Sequence, residues 1–76
     1  MNQEDRKLLQ EQLTTLEMTK GELEGLKDDL ENRIGNMEGT NLGSSPVAEK
    51  LQEEVDALDE AIGELESAID SLSNME

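Results

Sequence analysis

The 76-residue sequence contains no cysteine, histidine, phenylalanine, tyrosine or tryptophan. Without cysteine and histidine it lacks disulfides, thiolate and imidazole metal ligands, and the usual pairs of nucleophile and general base. Without aromatic rings it also lacks a platform on which nucleic-acid bases could stack. The sequence therefore predicts a protein that is not an enzyme and that binds no cofactor or metal.

Positive charge is scarce as well, because six Lys and Arg stand against twenty Asp and Glu, for a net charge of −14. Such a surface argues against direct binding to nucleic acid or to an anionic membrane. There is no apolar run of signal-peptide type or of membrane-spanning length. We therefore expect a soluble, cytoplasmic chain whose charged partners, where it has any, are basic.

A seven-residue apolar repeat runs through residues 47–72. Its d positions are Leu51, Leu58, Leu65 and Leu72, and its a positions are Ala48, Val55, Ile62 and Ile69. A period of 3.5 places these side chains on one stripe of a helix. Because the stripe is apolar, another helix must cover it.

Residues 3–38 carry a matching repeat and are predicted to form that helix, with Asn2 as its N-cap. The d positions are Leu9, Leu16, Leu23, Leu30 and Met37, and Leu13 and Ile34 occupy two a positions. Arg6, Lys20 and Lys27 fill the remaining a positions. Charged residues at a weaken a seam but help to select its partner and register.

Between the two repeats, residues 39–45 are predicted to form a loop. Gly39 suits a left-handed C-cap, Ser45 an N-cap, and Pro46 the first helical position. So short a connection normally returns the chain antiparallel to itself. We predict an all-α fold of one domain over residues 1–76: an antiparallel two-helix coiled-coil hairpin with helices over about 3–38 and about 46–74.

The predicted seam places Leu30 opposite Val55 and Leu23 opposite Ile62. Its members are Leu9, Leu13, Leu16, Leu23, Leu30, Ile34, Met37, Leu51, Val55, Leu58, Ile62, Leu65, Ile69 and Leu72. At the e edge, Glu24 would meet Asp59 and Glu17 would meet Glu66. We expect Lys20 and Lys27 to extend from the seam and relieve this repulsion.

Four helical glycines, at positions 21, 25, 35 and 63, fall at b or f and point away from the seam. Each would lower helix stability by about 1 kcal/mol relative to alanine. One interpretation is that Gly21 and Gly25 let another backbone approach closely. We favour the simpler one, a solvated outer surface on which packing is not at stake.

The g edge of the hairpin is largely uncharged, and we call its predicted members the oligomer edge. They are Thr19, Leu26, Ala61, Ala68 and Met75. A two-helix hairpin leaves its core side chains half exposed, so a second hairpin docked on this edge would complete a four-helix bundle. We expect a homodimer, with another helical protein as the alternative partner, and a function in protein-protein interaction, as an assembly or adaptor module.

The runner-up hypothesis concerns the acidic surface of the second helix, where Lys50 is the only base among residues 46–76. Rows of carboxylates on a rigid helix can imitate spaced phosphates and occupy the basic surface of a nucleic-acid-binding protein. The residues that would carry this inhibitory function, which we call the acidic face, are Glu49, Glu53, Asp56, Glu60, Glu64 and Asp70. The simpler interpretation is that the charge keeps a small coiled coil soluble.

Overall fold

The computed structural model describes residues 1–38 and 45–76, which form two helices. Helix α1 spans Gln3–Glu38 and helix α2 spans Pro46–Ser73. They pack against each other as a hairpin in a rod of 59 by 14 by 13 Å. The prediction of an all-α fold with two packed helices is confirmed. Gly39, the predicted C-cap, and the rest of the predicted loop up to Ser44 lie outside the described residues.

Both helices begin at the capping residues that the sequence predicts. The Asp5 amide donates a hydrogen bond to Asn2 Oδ1 at 2.8 Å, which satisfies one of the free donors of the first turn. At α2 the Ala48 amide donates to Ser45 Oγ at 3.3 Å, and Pro46 occupies the first helical position. These caps fix where each helix begins.

The core is a single narrow layer between the helices. Its best-buried side chains, 4 to 7% exposed, are Leu13, Leu30, Ala48, Val55 and Ile62. Every other residue of the predicted seam is half-buried. No side chain among the described residues is less than 2% exposed, which is the consequence of two helices sharing one seam.

Within residues 1–38 and 45–76, neither helix combines the length and the apolar character needed to cross a membrane.

Candidate functional site: an apolar face and an acidic face

Two lysines bridge the helices along one edge of the hairpin. Lys20 Nζ lies 3.2 Å from Glu66 Oε1, and Lys27 Nζ lies 2.6 Å from Asp59 Oδ1. From Lys20 to Lys27 the residue number rises by seven, and from Glu66 to Asp59 it falls by seven, as an antiparallel pair of helices requires. The prediction that these lysines extend from the seam to the acidic residues of α2 is confirmed.

Each lysine also reaches a carboxylate one turn further along α1. Lys20 Nζ lies 3.7 Å from Glu24, and Lys27 Nζ lies 3.7 Å from Glu31. The two side chains are only 30% and 27% exposed, because their aliphatic stems pack at the seam while the ammonium groups leave it. Each lysine thus neutralises part of the negative charge on both helices. This lowers the repulsion between two acidic helices that pack against each other.

This pairing makes stability depend on pH in the alkaline range. Hydrogen bonds to Glu66 and Asp59, reinforced by their negative charge, raise the pKa values of Lys20 and Lys27 above the ordinary 10.5. Because the folded state holds these protons more tightly, the stabilisation is complete below 10.5 and is lost as pH rises through the folded pKa values. We expect the thermal midpoint, followed by circular dichroism, to fall between about pH 9 and about pH 12.

The control for this experiment is the double variant Lys20→Met, Lys27→Met, which keeps apolar stems at the seam but has no titrating ammonium there. Its alkaline loss of midpoint should be clearly smaller than that of the unmodified chain. An equal loss in the two proteins would show that the two lysine bridges are not its source.

The opposite edge exposes large apolar side chains. Leu26 is 46% exposed, and Leu8, Val47 and Met75 are each 56 to 57% exposed. All four occupy c or g positions of the heptads, which are neighbours on a helix surface. The exceptions are Met18, at an f position, and Met1, which precedes α1. The exposed apolar area is therefore concentrated on one side of the rod.

Small side chains extend this surface between the large ones. The hydroxyl groups of Thr15 and Thr19 donate to the Glu11 and Thr15 carbonyl oxygens at 3.0 and 2.9 Å, so both are satisfied within α1. These hydroxyl groups need no further polar partner, and the methyl groups supply the apolar part of each side chain. We define the apolar face as the oligomer edge together with its c and g neighbours: Leu8, Thr15, Thr19, Leu26, Val47, Ala57, Ala61, Ala68 and Met75.

A shallow groove of about 350 Å³ lies in this apolar face. Leu30 and Leu58 form its floor at the seam, and Leu26, Glu54 and Ala57 form its walls. Because Leu26 comes from α1 and Ala57 from α2, the groove shows that the edges of the two helices share one side.

Sequence reasoning missed four members of the apolar face, namely Leu8, Thr15, Val47 and Ala57. Val47 stands at a g position that the heptads already define, one repeat before Glu54, so the pattern contained its signal. The other three stand at c positions. Only the structure shows that c positions belong to this face, because Leu8 is exposed there and Ala57 lines the groove. Of the predicted edge itself, Thr19, Leu26, Ala68 and Met75 are exposed and Ala61 is half-buried.

The acidic face lies on the outer surface of α2, and all six of its residues are exposed. Within the described part of the chain, none of them forms an ion pair; Asp56 accepts a hydrogen bond from Gln52 Nε2 at 3.0 Å. No group of three carboxylates there is arranged to hold a metal ion. The face is a row of solvated charges, of which Asp70 also lines an open groove beside Lys20 and Glu66.

Comparison with known proteins provides no relative from which a function could be transferred: no family model, curated protein or solved structure matches the chain.

Proposed function

We propose that the protein is a non-enzymatic assembly module that dimerises through its apolar face into a four-helix bundle. The observation that carries the proposal is the concentration of exposed apolar side chains on one side of a rod whose other surfaces are acidic. Exposed apolar residues rimmed by charged ones, here Glu22, Arg33 and Glu54, mark interaction sites in soluble proteins. The exposed apolar face is therefore a surface on which a second pair of helices docks.

The incomplete core supports the same proposal. Five side chains are buried and the remaining seam residues are half-buried. A core of this size rarely stabilises a chain below about 80 residues without a further device such as oligomerisation. A second hairpin on the apolar face would cover the groove and with it the exposed part of Leu58, which is half-buried.

The dimensions of the rod also suit a dimer. A face of 59 by 14 Å has a projected area of about 800 Å², which is comparable to the area that each partner contributes to a standard protein interface. Docking through the apolar face keeps the lysine-bridged edge in water, together with the acidic face except Glu64, which stands at a c position beside the apolar face. Two chains with a net charge of −14 each can then associate with their most acidic surfaces directed away from each other.

Light scattering behind a sizing column tests the proposal directly. We expect twice the chain mass of 8.4 kDa at both low and high salt, since screening weakens the repulsion between copies and leaves apolar packing intact. Leu26→Glu should weaken the dimer by about 2 kcal/mol, or roughly thirtyfold, because it places a charge at the centre of the apolar face.

Met18→Glu is the matched control, because it makes the same change of charge at a residue that is 63% exposed outside the apolar face. It should leave the mass unchanged. A chain that stays monomeric at high salt and millimolar concentration, or that responds equally to the two substitutions, would exclude this mode of assembly.

A second candidate function is inhibition of a basic nucleic-acid-binding protein through the acidic face. The observation that favours it is the contrast between the two acidic surfaces: lysines neutralise part of one, while the acidic face has no cation within ion-pair distance among the described residues. An unpaired row of carboxylates is the arrangement that a phosphate-binding groove would attract.

Competition with labelled duplex DNA for a lysine-rich histone provides the test. Glu49→Gln, Glu53→Gln, Glu60→Gln should reduce competition at least about tenfold if three charge contacts are lost. The control is Glu11→Gln, Glu22→Gln, Asp28→Asn, which removes the same charge from α1. If the two triple variants compete equally well, net charge alone explains the binding and the acidic face has no special part in it.

A further inference from the structure

The e positions of α2 hold two acids between two uncharged residues. In chain order they are Gln52, Asp59, Glu66 and Ser73. The two acids meet the two seam lysines, Glu66 with Lys20 and Asp59 with Lys27. Because the lysines and the acids are both seven residues apart, the observed alignment is the one heptad alignment of the two helices in which both lysines meet an acid of α2.

A heptad repeat permits other alignments, because a slide of seven residues brings apolar layers against equivalent ones. The lysine bridges place Leu72, in the last turn of α2, level with Leu13, so Leu9 projects beyond α2. A slide of α2 by one heptad toward the start of α1, about 10 Å, would cover Leu9 with Ile69. It would gain this apolar layer and lose two near the connection, those of Ile34 and Met37. Apolar packing alone therefore opposes the slide only weakly.

The length of the connection does not prevent this slide. The seven peptide units from Glu38 to Ser45 can span at most about 23 Å. The slid alignment needs about 10 Å along the rod and about 10 Å between the helix axes, which is about 14 Å in all. The same chain length therefore serves both alignments, and another feature must select the observed one.

Charge opposes the slide toward the start of α1. Lys20 would then meet Asp59, but Lys27 would meet the uncharged Gln52, and Glu66 would have no lysine opposite. The slide therefore removes one bridge and leaves one lysine and one acid without their cross-helix partners. The contacts of the lysines with carboxylates of α1 are the same in both alignments, so only the acids of α2 distinguish them.

The slide in the opposite direction is opposed by both charge and packing. Lys27 would meet Glu66, but Lys20 would meet the uncharged Ser73. Leu13, which is 4% exposed in the observed alignment, would pass beyond the end of α2 and lose its cover. The slide toward the start of α1 is therefore the alignment that competes with the observed one.

The competing alignment would also disrupt the apolar face. In the structure Leu26 is level with Ala61 and lines the groove. After the slide Leu26 would be level with Glu54, and Arg33 with Val47. A carboxylate would then stand at the centre of the apolar face and a guanidinium beside one of its exposed aliphatic residues. The alignment of the helices thus decides whether this face is apolar.

We infer that Lys20 with Glu66 and Lys27 with Asp59 form a register lock, a pair of positioning contacts that holds α2 in the alignment that assembles the apolar face. The uncharged residues at the neighbouring e positions are part of this device, because an acid there would pair with a lysine in a slid alignment. The inference goes beyond the proposed function. It concerns the single hairpin and applies whichever partner covers the apolar face.

Moving the acid pair by one heptad tests the register lock. The double variant Gln52→Glu, Glu66→Gln has the same composition and net charge as the unmodified chain. Its acids stand at e positions 52 and 59, which meet Lys27 and Lys20 together only after the slide. We expect a population of this variant to adopt the slid alignment, and the unmodified chain to show the observed alignment alone.

The distance between two spin labels in one chain measures the alignment. The chain has no cysteine, so Asn32→Cys and Ser71→Cys place the labels at two exposed positions, one on each helix. They are about 25 Å apart along the rod in the observed alignment and about 36 Å apart after the slide. With the width of the rod included, the slid population should give a second distance about 8 Å longer than the first. An excess of unlabelled chain removes distances between copies.

The matched control is Glu60→Gln, Ser67→Glu, which moves a carboxylate along the outer f positions of α2 at the same net charge and leaves the e positions unchanged. It should give the shorter distance alone. Circular dichroism follows folding in both labelled proteins. If the e-position variant also gives the shorter distance alone, or unfolds while the control folds, the register lock is overturned. The proposed function is tested separately by the mass of the unmodified chain, so the two failures are distinguishable.

Discussion

Replacing the four helical glycines together by alanine, as Gly21→Ala, Gly25→Ala, Gly35→Ala and Gly63→Ala, should raise the thermal midpoint by roughly 15 to 30 °C. Each substitution removes backbone freedom from the unfolded chain and contributes about 1 kcal/mol. A Cβ built at any of the four positions meets no atom within 4 Å, so nothing offsets this gain. Thermal and urea unfolding followed at 222 nm measure the sum.

The matched control is Ser67→Ala, which makes an alanine at an exposed outer position without removing a glycine. It should add only about 0.5 kcal/mol. Light scattering should show that the quadruple variant still dimerises, because the proposed bundle leaves the b and f positions of the four glycines in water. A total gain below about 1 kcal/mol, or a quadruple variant that no longer dimerises, would indicate that another backbone approaches Gly21 and Gly25 closely.

The helices and their starting points could be predicted from the sequence because the signals for them are local. A heptad of apolar residues requires only the helical period, and Asn2 and Ser45 cap through atoms within three residues of themselves. The cross-helix bridges of Lys20 and Lys27 were also predictable, because an antiparallel register places their stems beside Asp59 and Glu66.

The extent of the apolar face was harder to predict because it depends on exposure, which a heptad letter does not give. Ala57, at a c position, belongs to the apolar face only because it lines the same groove as Leu26 of the other helix. Thr15 and Thr19 look polar in the sequence, and only their hydrogen bonds to backbone carbonyl oxygens make them apolar in effect. These properties arise from the packed pair and not from either helix alone.

Lys20 and Lys27 also explain why the hairpin is a better pairing than two parallel copies of α1. In a parallel pair each lysine would face its own copy across the seam, and two ammonium groups in one layer repel. In the hairpin each reaches a carboxylate of α2 instead, at 3.2 and 2.6 Å. The lysines therefore reduce the apolar area buried at the seam, but they favour the antiparallel orientation of the two helices, which places the residues of the apolar face on one side.

Leu30→Ala should abolish most of the stability of the hairpin. Leu30 is 6% exposed, lies opposite Val55 in the predicted seam, and forms part of the floor of the groove. Truncating a buried leucine costs about 2 to 5 kcal/mol in transfer and cavity terms. A single core in a chain of this size supplies only about 3 to 5 kcal/mol in all. We expect the helical signal at 222 nm to fall by more than half at 25 °C and low protein concentration.

Two substitutions separate this effect from a general sensitivity of the helices. Leu30→Met keeps the volume and should cost less than about 1.5 kcal/mol, while Met18→Ala removes a side chain that is 63% exposed and should change stability by at most about 0.5 kcal/mol. Raising the concentration of Leu30→Ala should partly restore its helices, because dimerisation stabilises the folded chain by mass action. If Leu30→Ala and Met18→Ala unfold at the same midpoint, Leu30 does not lie in the core, and the seam on which both proposed interaction surfaces depend is wrong.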